Sequence, residues 1–487
     1  MQRSVGFEMA EELTQGDQAP ESRVASPESP NSNPASRIPS PHDPFPDLHP
    51  ALDAHAAAIE ASRCLYCFDA PCTAACPTHI DVPRFIKKIA TGNLRGSALT
   101  ILNSNVLGLS CSRVCPVDVL CEGACVMLRD NHKPIEIGRL QRFAMDRFYE
   151  SPAPAWSTPA RITREEKVGC VGGGPASLAC AAELRRRGFA VTVIDNRPLP
   201  GGLNTYGVAE YKLRPQDSLK EVEMIRSLGV EFRRALVGET VSLEEIEKEF
   251  ALIFLGMGLG TMERLGIPGE SLHGVIDALR FIERYKTSPD FHISGCVVVI
   301  GGGNTAIDAA NAARRLGAEE VHVFYRRSER EMPAFKFEYD RSKVEGVHFH
   351  WLAQPLEIIG SEGRAGAVRF VETHLGAPDH TGRCVVTPIP GTEYEFACNL
   401  VIPAIGQSRL TSLLESTRSI AVKNGLVVVD RPTGRTANPR YFAGGDCVNG
   451  GREVVDAVAD GRRAALAVAA QLEGWCPMGR ARLREKI

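Results

Sequence analysis

Hydrophobic and polar positions follow three different rhythms along this 487-residue chain. Over residues 1–48 there is no apolar period. Pro, Ser, Asn and Asp dominate, and too little apolar surface exists to offset ordering entropy, so a disordered tail is expected. From 49 to 155 the apolar residues recur at helical spacing, over Ala51–Arg63, around Asp81–Leu102 and over Ile137–Phe148. That predicts a small all-α domain. Beyond 160, apolar runs of strand length alternate with Ala-rich amphipathic stretches. Lys167–Val171 is such a run, followed by a helix to about Arg187 and a second strand over Ala190–Ile194. Cys296–Ile300 repeats the arrangement, with a helix to about Leu316 and a strand over Val321–Tyr325. Strands alternating with helices predict an α/β architecture with parallel sheets.

Both leading strands run into glycine turns. Gly172-Gly-Gly174-Pro-Ala-Ser177 follows the first, and Gly301-Gly-Gly303-Asn304-Thr305-Ala306 the second. The strand–turn–helix context gives these motifs meaning: Gly172 permits the tight turn, Gly174 lets backbone approach a pyrophosphate, and the helix N-terminus offers free N–H groups. Ser177 stands where a third glycine is usual, a slot concerned with helix–strand packing. The strand after the first turn ends at Asp195, whose carboxylate suits a ribose diol. After the second turn no acid stands at the strand end, and Arg326 and Arg327 do. Two guanidiniums suit a 2′-phosphate, which favours NADPH over NADH. Two Rossmann-like domains are expected, one inserted in the other.

The rest of the composition narrows the class. Net charge is −3 with pI near 6.5, which argues against nucleic acid or an anionic membrane as partner. No apolar run reaches the roughly 18 residues of a membrane span. The tail has no apolar segment of a secretory signal, and its Glu8, Glu11, Glu12, Asp17 and Glu21 are unlike an acid-poor transit peptide. A cytoplasmic location follows as the expectation, and clustered cysteines there favour metal over disulfides. Eight of the 15 cysteines lie between Cys64 and Cys125, as C-x2-C-x4-C-x3-C-P and C-x3-C-P-x3-L-C-x3-C, with Cys111 the first of the second group. Zinc would prefer paired C-x2-C knuckles, and only Cys64 and Cys67 make one. The Cys76-Pro77 and Cys115-Pro116 steps, with redox fingerprints in the same chain, favour cubane iron–sulfur clusters. None of the 12 histidines stands in a motif with a base and an orienter, so no catalytic acid, base or nucleophile is nominated.

The stretches CLYCFDAPCTAACPTHID, LGLSCSRVCPVDVLCEGAC and PIEIGRLQRF make the chain specific. They resemble the N-terminal iron–sulfur domain of dihydropyrimidine dehydrogenase and the separate NAD(P)H-oxidising subunit of its bacterial form. The small subunit of glutamate synthase is a more distant relative. The resemblance runs from about residue 50 to the C-terminus. It implies that Cys64, Cys67, Cys72 and Cys125 hold one 4Fe–4S cluster. Cys76, Cys115 and Cys121 would hold a second, with Gln141 as an unusual fourth ligand. On its own Gln141 reads as a surface helix residue. Cys111 is left as a small buried residue.

The resemblance also implies FAD at the first turn. Gly201-Gly202-Leu203-Asn-Thr-Tyr-Gly207 resembles the family's flavin-wrapping loop, and Thr436…Gly445-Asp446 its C-terminal flavin motif. A helix from Val454 to Leu472 would aim its positive end at the flavin. The expected domains are then 49–155 for the clusters, 160–290 for the first part of the FAD fold, 291–399 for NAD(P)H, and 400–487 for the FAD fold resumed at Val401-Ile-Pro-Ala-Ile-Gly406. Electrons would pass from NADPH through FAD and two 4Fe–4S clusters to an outside acceptor. Pyrimidine reduction in the resembled enzyme needs an FMN barrel of about 250 residues, for which this chain has no length. The expected role is therefore electron input to a separate FMN/iron–sulfur catalytic subunit that reduces uracil and thymine. The alternatives are a glutamate synthase small subunit, or a reductase for another acceptor such as ferredoxin. A non-enzymatic protein is disfavoured, because the cysteines and both glycine turns are intact.

Overall fold

The computed structural model describes residues 45–151, 156, 158–288, 291–379, 382–410 and 420–472. The expected disordered tail falls outside these, except at its end. Phe45 is buried and stacks on Tyr285 with ring centroids 5.0 Å apart, and Leu48 donates its backbone N–H to Tyr211 O at 2.9 Å. The tail boundary therefore moves from 48 to before 45: Phe45, the Leu48 N–H and an Arg142 guanidinium on Asp47 and His49 O anchor this Pro-rich stretch.

Helices span Ala54–Ser62, Pro71–Ala75, Val82–Ala90, Leu94–Leu102, Gly108–Val114 and Ile137–Tyr149. Short polar residues start three of them: Asp53, Asp81 and Asn93 accept from the N–H of Ala56, Arg84 and Gly96. Val82–Ala90 buries Val82, Phe85, Ile86 and Ile89, a stripe at helical spacing. Six of the eight clustered cysteines sit in the connections, while Cys72 lies within Pro71–Ala75 and Cys111 within Gly108–Val114. Cys76 and Cys115 follow directly on helix ends, and Cys64, Cys67, Cys121 and Cys125 lie in loops between helices. The core of these helices is continuous with the next domain: Phe85, Ile101, Leu140 and Phe143 belong to one buried cluster with Val168, Leu178, Leu184 and Phe254.

The first nucleotide domain is a five-stranded parallel sheet in the order Tyr441–Ala443, Leu252–Leu255, Lys167–Val171, Ala190–Asp195, Glu231–Arg234. Its outer strand arrives from the far end of the chain, so the domain is interrupted. The C-terminal helix Val454–Leu472 packs on Pro175–Arg186, the helix of the first glycine turn. Gly461 makes that approach possible, since a Cβ there would stand 2.0 Å from Ala176 O.

The interrupting module holds a parallel sheet ordered Leu400–Pro403, Cys296–Ile300, Glu320–Tyr325, Val347–Trp351. The expected return to the FAD fold at 400 is corrected here. Leu400–Pro403 pairs with Cys296–Ile300 in register from Leu400↔Val297 to Pro403↔Ile300, so it belongs to the second sheet. A four-residue apolar run carries nothing that says which sheet it joins. A separate antiparallel sheet of Ala353–Ser361, Arg364–Pro378, Cys384–Pro388 and Tyr394–Ala397, unforeseen from sequence, covers one face of the module.

Polar contacts fix the helical domain to the first nucleotide domain. Glu221, fully buried on the helix Pro215–Ser227, accepts from Leu109 N at 2.7 Å, Ser110 N at 3.1 Å and Ser110 Oγ. It thus caps the helix that leads into Cys115. Arg113 of that helix bridges Asp146 at 2.5 Å and Asp217 at 3.3 Å. Among the described residues no helix is long and apolar enough to cross a membrane.

Candidate functional site

Both glycine turns open into one cavity of about 2160 Å³. Its walls include Gly172, Gly174, Asp195, Gly202 and Leu203 from the first domain, and Gly301, Gly303, Asn304, Thr305, Arg326 and Arg327 from the second. Gly406, Gly445, Asp446 and Val454 close it from the C-terminal segment. Single small-molecule sites usually occupy about 300–1,000 Å³, so this cavity has room for two dinucleotides. Three of the expected residues stand behind the wall. Ser177 is buried with its hydroxyl 3.4 Å from Val171 O, Ala306 is fully buried in the second turn helix, and Gly201 braces the loop by donating to Gly173 O at 2.8 Å.

The turns are built to receive anions. Gly174 and Gly303 are N-caps in extended conformation, and no side chain caps either helix, so their N-termini are left open to an anion. At Gly172, φ is +94° and a Cβ would lie 2.6 Å from Gly256 O, which leaves glycine alone compatible. Asn204 Oδ1 is buried in the wall with no hydrogen-bond partner among the described residues, a vacant acceptor of the kind a polar ligand fills. Asp195 accepts from Gly173 N and from Arg197 N at 2.7 Å, so its carboxylate is held at the strand end with lone pairs to spare. Burial raises the carboxyls of Asp446 and Glu453, the latter to about 7. Lys212, also in the wall, ties the two domains by pairing with Asp308 at 2.6 Å and Glu338 at 2.7 Å.

The thiols fall into two neighbourhoods. Cys64, Cys67, Cys72 and Cys125 line a small separate cavity. Cys76, Cys111 and Cys121 surround Cys115, with Cys111 within hydrogen-bond reach of it. Burial pushes the Cys72 thiol up to about 11 and raises those of Cys64, Cys115 and Cys121, the Cys115 shift being led by its contact with Cys111. A bound cation would reverse this by favouring thiolates. No three of these thiols come within 4.8 Å of one another, whereas a lone tetrahedral zinc would need them about 3.8 Å apart. Gln141 is buried, not on the surface as its sequence context suggests, and its Nε2 donates to Gly108 O at 2.8 Å. The second neighbourhood adjoins the nucleotide cavity: Val114, the residue before Cys115, is part of the cavity wall.

Sequence reasoning missed several wall residues. Arg330 joins Arg326 and Arg327, and the run RRSER was its only signal. Asn204 lay within the flavin-loop stretch without being singled out, and Lys212 had no signal, since its place depends on how the domains meet.

Residues 42–153 match the family model described as dihydropyrimidine dehydrogenase domain II, 4Fe-4S cluster. Residues 166–474 match pyridine nucleotide-disulphide oxidoreductase. The chain is 33% identical over 448 residues to the glutamate synthase [NADPH] small chain of Escherichia coli, covering 88% of this chain and 94% of that one. It is 35% identical to the putative oxidoreductase AegA of the same organism, over 87% of this chain and 67% of AegA. It is 36% identical to the NADP(+)-dependent formate dehydrogenase subunit beta of Moorella thermoacetica, over 82% of this chain but only 59% of that subunit's length. Among solved structures, Mycobacterium tuberculosis FprA aligns over 64% of this chain and 86% of its own, at TM-score 0.52 and 20% identity, a likeness of fold. The residues described above fit the family's cofactors, FAD, NADPH and 4Fe–4S clusters. By both its cavity and these matches, the chain belongs to the pyridine nucleotide-disulphide oxidoreductase family, in the group with glutamate synthase small chains, and carries at its N-terminus a 4Fe–4S domain of the dihydropyrimidine dehydrogenase type.

Proposed function

We propose that this chain is the electron-input subunit of a hetero-oligomer, taking reducing equivalents from NADPH and handing them singly to an acceptor on a partner polypeptide. The observation that carries this is Val114: it forms part of the nucleotide cavity and is bonded to Cys115. Bound FAD and clusters would supply the conversion of a two-electron hydride into single electrons. The chain's own residues orient and insulate. Arg326, Arg327 and Arg330 receive the 2′-phosphate, and the two uncapped helices receive the pyrophosphates. Cys76, Cys115, Cys121 and Gln141 hold the cluster nearer the cavity, and Cys64, Cys67, Cys72 and Cys125 the outer one. Cys121 is close enough to both Cys76 and Cys72 to feel their charge, so the two groups are neighbours. Phe68, fully exposed between Cys67 and Cys72, and Leu65, 63% exposed, mark where a partner covers the outer group.

For the acceptor, the glutamate synthase reading has the better support, because the match covers 94% of that small chain. A pyrimidine-reducing FMN partner is the second reading, favoured by the match of residues 42–153 to the dihydropyrimidine dehydrogenase domain. Anaerobic purification with partner chains retained tests both. About eight irons per FAD are expected. NADPH oxidation dependent on glutamine plus 2-oxoglutarate supports the first reading, and dependence on uracil replaces it with the second. A preparation with flavin absorbance alone, and no paramagnetic signal on reduction, overturns the relay.

A further inference from the structure

The second nucleotide domain carries a mixed cluster of metal-binding side chains at the end of its sheet remote from the glycine turn. Cys296 begins one strand, Glu320 begins its neighbour, and the parallel register sets them opposite each other. His322, two residues on from Glu320, shares its face. One ligand atom from each of Cys296, Glu320 and His322 lies within 4.8 Å of the other two. His322 Nε2 is 3.2 Å from Glu320 Oε2, and His322 Nδ1 is 2.9 Å from His350 Nε2. None of these residues lines the nucleotide cavity, and the five residue steps from Cys296 to Gly301 span about 16 Å.

We propose that Cys296, Glu320 and His322 form a site for a divalent cation of the zinc class, with His350 as the residue that sets the His322 ring. Ligand bonds of about 2.0–2.3 Å in a tetrahedron give edges of about 3.3–3.8 Å. The Glu320–His322 separation is already such an edge, and the thiol has to close by at most about 1 Å. One sulfur, one imidazole nitrogen and one carboxylate oxygen form a borderline donor set, unlike the all-oxygen sets that calcium and magnesium select. His350 occupies the second ring nitrogen of His322 and so fixes which nitrogen faces the ion, as outer partners do at histidine–metal sites. The backbone is pinned too: Cys296 N donates to Asn399 Oδ1 and Asn399 N to Cys296 O, both at 2.8 Å. The Glu320 side chain is 64% exposed, so the ion enters from solvent and water completes its shell. A bound ion would clamp the first two strands of the module without touching the cavity.

Zn²⁺ titration of the flavin- and cluster-loaded protein by calorimetry tests this. The wild type should bind one equivalent that Cys296→Ser and His322→Gln bind at least ten-fold more weakly, and His350→Phe should lose about 10- to 100-fold in affinity. NADPH oxidation by all three variants should match the wild type, which reports that they fold. Zinc-edge absorption of the wild type should show one sulfur at about 2.3 Å with nitrogen and oxygen neighbours. Equal Zn²⁺ binding by wild type and variants would overturn the site. An all-sulfur shell, which would place the ion among the N-terminal thiols, would overturn it equally.

Discussion

Glu221 is the residue whose loss should travel furthest. Its carboxylate satisfies Leu109 N, Ser110 N and Ser110 Oγ at the start of the helix that ends in Cys115. Glu221→Ala removes a helix cap, worth about 0.5–2 kcal/mol. It also strands buried donors at about 1–3 kcal/mol each, so a loss of roughly 3–5 kcal/mol is expected after relief of the buried charge. Glu221→Gln keeps an acceptor for both backbone donors and should be nearly neutral at low pH. The pH dependence separates the two effects. Burial pushes the Glu221 carboxyl up to about 8, against the opposing pull of its Ser110 and Leu109 donors and of Arg113. A raised folded-state value means a contribution fully present below the ordinary carboxyl range and lost as pH rises through about 8. Between pH 6 and 8.5 that loss is about 2–3 kcal/mol. Urea midpoints of holoprotein, followed by flavin fluorescence, should fall for the wild type over that interval, and Glu221→Gln should lack this component. Parallel pH curves for wild type and Glu221→Gln, or a Glu221→Ala loss under about 1 kcal/mol, would refute the reasoning.

The other expectations concern the cofactors. Replacing both Arg326 and Arg327 by Ala should lower kcat/KM for NADPH by about 10- to 100-fold, at roughly 1.5–3 kcal/mol per charge-assisted bond less what Arg330 retains. The value for NADH should be unchanged, as steady-state kinetics would show. Cys121→Ser should cost the protein one cluster while Cys111→Ser keeps its full iron, which iron and sulfide counts on anaerobic samples distinguish. Gly461→Ala puts a methyl 2.0 Å from Ala176 O, so overpacking should cost at least about 1–3 kcal/mol and loosen flavin, read as a lower melting temperature and free FAD on gel filtration.

What was legible in the sequence was local. Lys167–Val171 and Cys296–Ile300 announce themselves because an apolar strand, a glycine turn and an Ala-rich helix follow within about 20 residues. The cysteines were visible through spacing, and their division into two groups only through family resemblance. The features that escaped depend on distant partners. Leu400–Pro403 joins a strand 103 residues upstream, Leu400↔Val297 being one pair. Phe45 finds Tyr285. Lys212 acquires meaning only where two domains face each other. The buried place of Gln141 follows from the packing of Ile137–Tyr149 on Gly108–Val114, which helical periodicity does not reveal.

Because the helices around the thiols share their core with the sheet behind Gly172, the chain offers no clean seam near residue 155. Severing it there would bare leucines and phenylalanines on both halves and leave Glu221 ionisable with nothing to cap. Those who wish to study the cluster module in isolation will have to redesign that face, or keep the flavin fold attached as its chaperoning half.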